Sequence, residues 1–115
     1  MKIAPLVDLF FKDMSWDSRV YEIAKCGYKY VETWQGEDAY VLKLISDTGR
    51  DYGVELVSVV INFATEEKVA PISKENNSRF LEQVDRISDN ALSVGCHQGI
   101  ITTGQSISGH DYQQQ

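Results

Sequence analysis

Nowhere in this chain do two strand-like runs stand within hairpin reach of one another. Each apolar or β-branched run is separated from the next by a segment of helical periodicity, and each of those segments closes on a glycine. Strands joined through helices have to lie parallel, with right-handed crossovers. That one pattern restricts the 115 residues to a parallel α/β fold of the order β-α-β-α-β-α-β.

The boundaries follow from local chemistry. Ile3 to Leu9 is apolar apart from Asp8 and reads as a first strand over about 3–9, with Pro5 tolerable near a strand start. Phe10 to Met14 is a loop. Ser15 suits a helix N-cap and Asp17 the first turn. Trp16, Val20, Ile23 and Ala24 then fall on one helical face until Gly27 stops it. The second strand covers 29–34. Glu37 and Asp38 suit the start of a second helix, whose apolar stripe is Val41, Leu44, Ile45 and Tyr52, ended by Gly53. Gly49 inside it costs about 1 kcal/mol relative to Ala. The third strand, 54–61, is rich in β-branched residues. A long mixed-charge loop, 62–74, follows; such loops tend to be functional. The third helix covers about 75–94, with Phe80, Val84, Ile87, Ala91 and Val94 as its stripe. Gly95 stops it, and a fourth strand covers 98–103. Residues 1–104 thus form four strand–helix units, and 105–115 a polar tail.

Two architectures fit this order: a doubly wound open sheet and part of a (β/α)8 barrel. Nucleotide-binding doubly wound folds need a Gly-rich turn after the first strand, where backbone approaches phosphate. Here that turn is Phe10-Phe-Lys-Asp-Met14, without glycine. The barrel is favoured. A complete one needs eight strands and about 250 residues, so four strands correspond to its first half.

Charge excludes some functions. A net charge of -6 argues against nucleic acid as a partner, since phosphate neutralisation needs clustered Lys and Arg. It also argues against docking on anionic membranes. No run approaches the ~20 apolar residues of a membrane span. Asp8 interrupts an N-terminal apolar run already too short for a signal peptide, which leads to the expectation of a cytoplasmic protein. Cys26 and Cys96 lack metal-ligand spacing and read as reduced, small apolar residues.

The run Gly27-Tyr-Lys-Tyr-Val-Glu-Thr-Trp34 resembles the glycine–aromatic–x–x–Val–Glu second strand of the sugar isomerase/epimerase superfamily, the xylose-isomerase-like TIM barrels. Asn62-Phe63 at the end of the third strand agrees, as do Gly95-Cys96 before the fourth and Thr102-Thr-Gly104 closing it. Within the superfamily the likeness is to hydroxypyruvate isomerase-like proteins, over the first half of their barrel. The resemblance implies aldose–ketose interconversion by proton transfer through an enediolate. That chemistry needs a base and an acid across the substrate and a Lewis acid for the oxyanion, Mg or Mn in such enzymes. The family's metal ligands and essential glutamates come largely from the later strands. The resemblance therefore assigns no catalytic pair and no metal to this chain, and it implies an incomplete enzyme without activity of its own.

What the resemblance does assign is a substrate wall. Barrel active sites sit at the C-terminal ends of the strands, which here carry Asp8, Glu32, Trp34, Asn62 and Thr103. Glu32 and Trp34 share a face because strand side chains alternate. Trp34 can stack on a sugar-like skeleton, while Glu32, Asn62 and Thr103 can bond hydroxyls of a small hydroxy-carbonyl ligand. Each has a plainer reading. Glu32 can be an interior residue paired with a Lys or Arg, Trp34 simple packing, Asp8 a strand terminator, Asn62 a turn former and Thr103 a β former. His97 precedes the fourth strand at the opposite end. A four-stranded arc also leaves open strand edges, which invite pairing with a second copy into a homodimer.

Overall fold

The structure, a computed structural model, describes residues 2–61 and 77–101. The periodicity at Trp16, Val20, Ile23 and Ala24 forms helix α1, Trp16–Lys25, with Val20 and Ile23 buried. Ser15 stands at its N-cap, but its Oγ bonds Ser18 Oγ at 2.9 Å and caps no backbone N–H. Gly27 takes the left-handed φ of 93° that ends the segment. Helix α2 spans Ala39–Tyr52 and is capped by Asp38, whose Oδ1 accepts from Val41 N at 3.1 Å. It buries Val41, Leu42, Ile45, Ser46 and Gly49. The buried face is rotated from the stripe expected, so Leu44 is only half-buried and Leu42 is fully buried. Tyr52, in the last turn, is exposed and packs its ring 4.9 Å from that of Tyr21. Helix α3, Asn77–Ser93, turns Ile87 and Ala91 inward, with Val84 and Val94 packed against the same core.

Three strands, β1 (Tyr30–Thr33), β2 (Glu55–Ile61) and β3 (Gly99–Ile101), make one parallel sheet in the order β1-β2-β3. Strand order therefore equals chain order. α1 packs on α2, α2 on α3, and the last two on β2. Helices α1, α2 and α3 share one core with Val31, Leu56, Val59 and Ile61, so they lie on one face of the sheet. The expected class, parallel α/β, is what the described residues form.

The register holds a β-bulge. Tyr30 pairs with Glu55 and Val31 with Leu56, but Glu32 pairs with Ser58 and Thr33 with Val59, leaving Val57 as the extra residue. A bulge shifts the inward–outward phase by one. Leu56 before it and Val59 and Ile61 after it consequently all face the helices. Ser58 takes the face of its partner Glu32, away from the helices.

The expected first strand, 3–9, is a correction. Only Leu6 pairs, as an isolated parallel bridge to Glu32, with Glu32 N donating to Pro5 O at 3.0 Å. Val7–Leu9 then closes into a 3-10 turn. Pro5 has no N–H to give a ladder, and Asp8 is drawn instead to the end of β1, as described below. Phe11 follows at a φ of 52°, and Arg19 ties that loop to α1 by donating to Met14 O and Lys12 O. At the other end β3 matches the core of the expected strand 98–103. Residues 102 and 103, the loop 62–74 and the tail 105–115 lie outside the described residues. Cys96 is buried as an apolar residue would be, whereas Cys26 is exposed at the C-cap of α1, contrary to expectation.

Candidate functional site

The end of β1 is held in place by one carboxylate. Asp8 Oδ1 accepts from Thr33 Oγ1 at 2.8 Å and from Trp34 N at 2.9 Å, and Oδ2 accepts from Gln35 Nε2 at 2.8 Å. Thr33 Oγ1 in turn accepts from Gln35 N at 3.2 Å. Thr33 is fully buried, so its hydroxyl needs this partner. Asp8 does stand beside the end of β1, as the sequence suggests. Its oxygens, however, are engaged by the protein, which makes it a bracket for the segment 33–35 and not a group waiting for a ligand.

The other side of the same segment is gripped by α3. Arg86 donates to Glu37 through Nε (2.9 Å) and Nη2 (2.7 Å), and Gln83 Nε2 adds a third bond to Glu37 at 3.0 Å. Asn90 Nδ2 donates to Gly36 O at 3.0 Å. A Cβ on Gly36 would meet Ile87 Cγ2 at 2.7 Å, so only glycine lets the loop lie directly on α3. Sequence reasoning read Glu37 as a helix-start charge and missed this long-range pairing. The loop leaving β1 is thus fixed from both sides.

The Arg86 hydrogen bond holds the Glu37 carboxyl below the usual glutamate range, with Gln83 assisting and partial burial opposing. The sign follows from linkage. A depressed carboxylate contributes stability that is complete above its unfolded value, near 4.3, and is lost as pH falls through the lower folded value. Half of the Arg86 side chain faces solvent, so the contribution at neutral pH is about 1 kcal/mol. Arg86→Ala should therefore lower stability in urea unfolding at pH 7, and the gap from the parent should shrink at pH 3. An equal gap at both pH values would contradict this role.

Glu32 is different. It is half-buried on the helix-free face, and its carboxylate has no hydrogen-bond or ion-pair partner among the described residues. Its register partner Ser58 is 3% exposed, and the Ser58 Oγ has no partner either. Tyr30 lies two residues before Glu32 in β1, and Lys2 Nζ sits 5.1 Å from the centre of the Tyr30 ring. Trp34 follows Glu32 by two residues, half-buried, its backbone fixed by Asp8. Glu32 and Trp34 are therefore brought to one end of the sheet. Asn62 and Thr103 lie outside the described residues. Ser58 escaped sequence reasoning because simple alternation gives it the phase of Leu56, and only the bulge separates them. His97 is exposed just before β3.

No three His, Cys, Asp or Glu side chains converge to hold a metal among the described residues, so Mg or Mn is assigned to none of them. No helix among them is long and apolar enough to cross a membrane. No protein-family model, no curated protein and no solved structure matches this chain.

Proposed function

We propose that the chain is the opening arc of a (β/α)8 barrel of the sugar isomerase/epimerase kind, and that the face of its sheet opposite α1, α2 and α3 is a wall for a small hydroxy-carbonyl or sugar-like ligand. The observation that carries this reading is the Glu32 carboxylate at the C-terminal end of β1, unpaired among the described residues and beside a loop locked by Asp8 and Glu37. With the parallel Leu6 bridge to Glu32 ahead of β1, four extended segments follow one another in chain order, one more than a half of a doubly wound sheet supplies, which supports a barrel arc. A doubly wound sheet reverses strand order at the switch point where its ligand binds. An unpaired carboxylate accepts hydrogen bonds from hydroxyls, each charge-assisted. Glu32 and Trp34 thus contribute binding and orientation to aldose–ketose interconversion. No base–acid pair is assigned here, and the described residues on their own are expected to bind without turnover.

The test is amide NMR of the chain titrated with dihydroxyacetone and hydroxypyruvate, together with an isomerase assay with Mg2+ or Mn2+ added. Shifts are expected at residues 30–35 and 58, and Glu32→Gln should weaken binding by about tenfold, the worth of one charge-assisted hydrogen bond. Turnover that disappears in Glu32→Gln would show the chain to be an enzyme in its own right. Absence of any shift near Glu32 would remove the proposal.

A second reading, a self-associating half-barrel, is favoured by one observation. Ile100 and Ile101 of β3 and Leu92 of α3 are 42%, 48% and 56% exposed. Sedimentation at about twice 13.0 kDa supports it, and a 13.0 kDa species excludes it.

A further inference from the structure

Two strand edges stand open among the described residues, and their backbone groups match. One edge is β3. Val59 N donates to Gln98 O at 3.1 Å, so Gln98 and Ile100 turn their backbone groups to β2, while Gly99 and Ile101 turn theirs outward. The other edge is the extended segment that ends at Leu6. Pro5 O accepts from Glu32 N, so Pro5 faces β1, and the N–H it lacks is missing from that side only. Ala4 and the Leu6 N–H face outward, where proline does not interfere. In a parallel ladder a residue bonds the two residues that flank its register partner. Gly99 and Ile101 of one copy can therefore bond Lys2, Ala4 and Leu6 of a second copy. That register sets Ile3 opposite Gly99 and Pro5 opposite Ile101.

The side chains match as well. Gly99 pairs with Val59, so Ile3 opposite Gly99 falls on the helix side of the sheet. There a groove of about 180 Å³ opens between α3 and β3, walled by Val59, Ile61, Ile87, Ala91, Leu92 and Cys96. Gly99 has no side chain to fill it, and Ile3 is 59% exposed in its own copy. We infer that two copies join head to tail, the β3 edge of each against the Ile3–Leu6 edge of the other. Ile3 sits in the groove of the second copy, and eight extended segments close one ring. The inference deepens the self-association reading above and takes its curvature from the barrel-arc reading. Buried area decides against the alternative joint, β3 against β3 about a two-fold axis. Leu81, Leu92, Ile100 and Ile101 are 42% to 60% exposed, and covering them in both copies removes about 800 Å², the size of an incidental contact. The head-to-tail joint also covers Ile3, Leu9, Phe10 and Met14, which brings the total to about 1,500 Å², within the range of specific interfaces.

Sedimentation of the full chain over a range of concentrations reads the joint. The parent is expected at about twice 13.0 kDa. Ile3→Lys and Leu92→Glu each spoil both seams of the dimer, at about tenfold a seam, so each alone should raise the dimer Kd by about 100-fold. Mixed in equal amounts, the two variants should recover a Kd within about tenfold of the parent's. One seam of the mixed dimer is unaltered, and the other sets the two introduced charges, opposite in sign, against each other. Recovery also shows that neither loss comes from unfolding. The milder Ile3→Ala and Leu92→Ala should repeat the pattern with a rise of about tenfold each, and they decide the matter where a charge unfolds the chain. Ile3→Lys dimerising as the parent does, while Leu92→Glu does not, would put β3 against β3. That result overturns the head-to-tail joint and leaves self-association standing. A mixture that stays at 13.0 kDa overturns the joint as well. Species that keep growing with concentration are an open ladder and overturn the closed ring. A parent at 13.0 kDa overturns the inference and the self-association reading together and leaves the ligand wall untouched.

Discussion

Asp8→Ala is expected to destabilise the fold by about 3 kcal/mol, the cost of stranding several donors that a charged acceptor had satisfied. The magnitude comes from what the substitution leaves behind. Thr33 Oγ1 and Trp34 N both donate to Asp8 Oδ1, and Thr33 is fully buried with no access to water as a substitute. Gln35 Nε2 loses Oδ2 as well, but Gln35 is only half-buried and water can replace that bond. Asp8→Asn keeps an oxygen for Thr33 and Trp34 and turns an amide toward the Gln35 donor, so about half the loss is expected. Urea unfolding of the two variants measures the ratio. A loss below about 1 kcal/mol in Asp8→Ala would mean the bracket is not what fixes the end of β1. The same pair of variants separates bracket from ligand group. Because Asp8 spends its oxygens on the protein, Asp8→Asn should leave dihydroxyacetone binding within about twofold, where Glu32→Gln changes it by about tenfold.

The bracket also shows how far the sequence can be read. Tyr30–Thr33 and Glu55–Ile61 are legible because β-branched and aromatic alternation has no competing helical period there. The helices are legible from their stripes, and the absence of hairpin signals carries over directly into a parallel sheet. The first strand is not legible, although its apolar content is as high. What decides its conformation is a contact 25 residues away, the Asp8–Thr33 bond, together with the donor Pro5 lacks. Local pattern does not contain the first, and the second, though visible, reads as tolerable at a strand start. The candidate site divides in the same way. Glu32 and Trp34 follow from alternation within one strand. Ser58 depends on a register irregularity between two strands, and Glu37 depends on a partner 49 residues away on α3. Polar groups joined across long sequence separations leave no periodic trace, and most of this site is made of them.

Gly49→Ala should destabilise the chain by about 2 kcal/mol, although helix propensity alone predicts a gain of about 1 kcal/mol from the same change. Gly49 lies inside α2 and is buried, three residues before the helix ends. The chain then turns at Gly53, whose φ of 75° is left-handed, and Val54 N donates back to Gly49 O at 2.7 Å. That return brings the Val54 carbonyl onto Gly49, so a Cβ at position 49 would lie far inside contact distance of backbone oxygen. Backbone cannot swing aside as the tip of a flexible side chain can. Relief requires α2 to separate from the start of β2, which loosens the packing of Ile45 and Val54 and weakens the 49–54 hydrogen bond. Overpacking of this kind costs about 1–3 kcal/mol, and an impaired buried hydrogen bond adds about 1 or more, which together outweigh the propensity gain. Asp51→Ala is the matched control. It is exposed in the last turn of the same helix, where an acidic side chain opposes the helix dipole. It should gain a few tenths of a kcal/mol, about what propensity and dipole together allow. Chemical unfolding of both variants reads the sign directly. If Gly49→Ala is as stable as Asp51→Ala, the close approach of α2 to β2 is not a constraint on the fold. If it is less stable by the stated amount, the glycine at position 49 is there for the turn into the strand that carries Ser58.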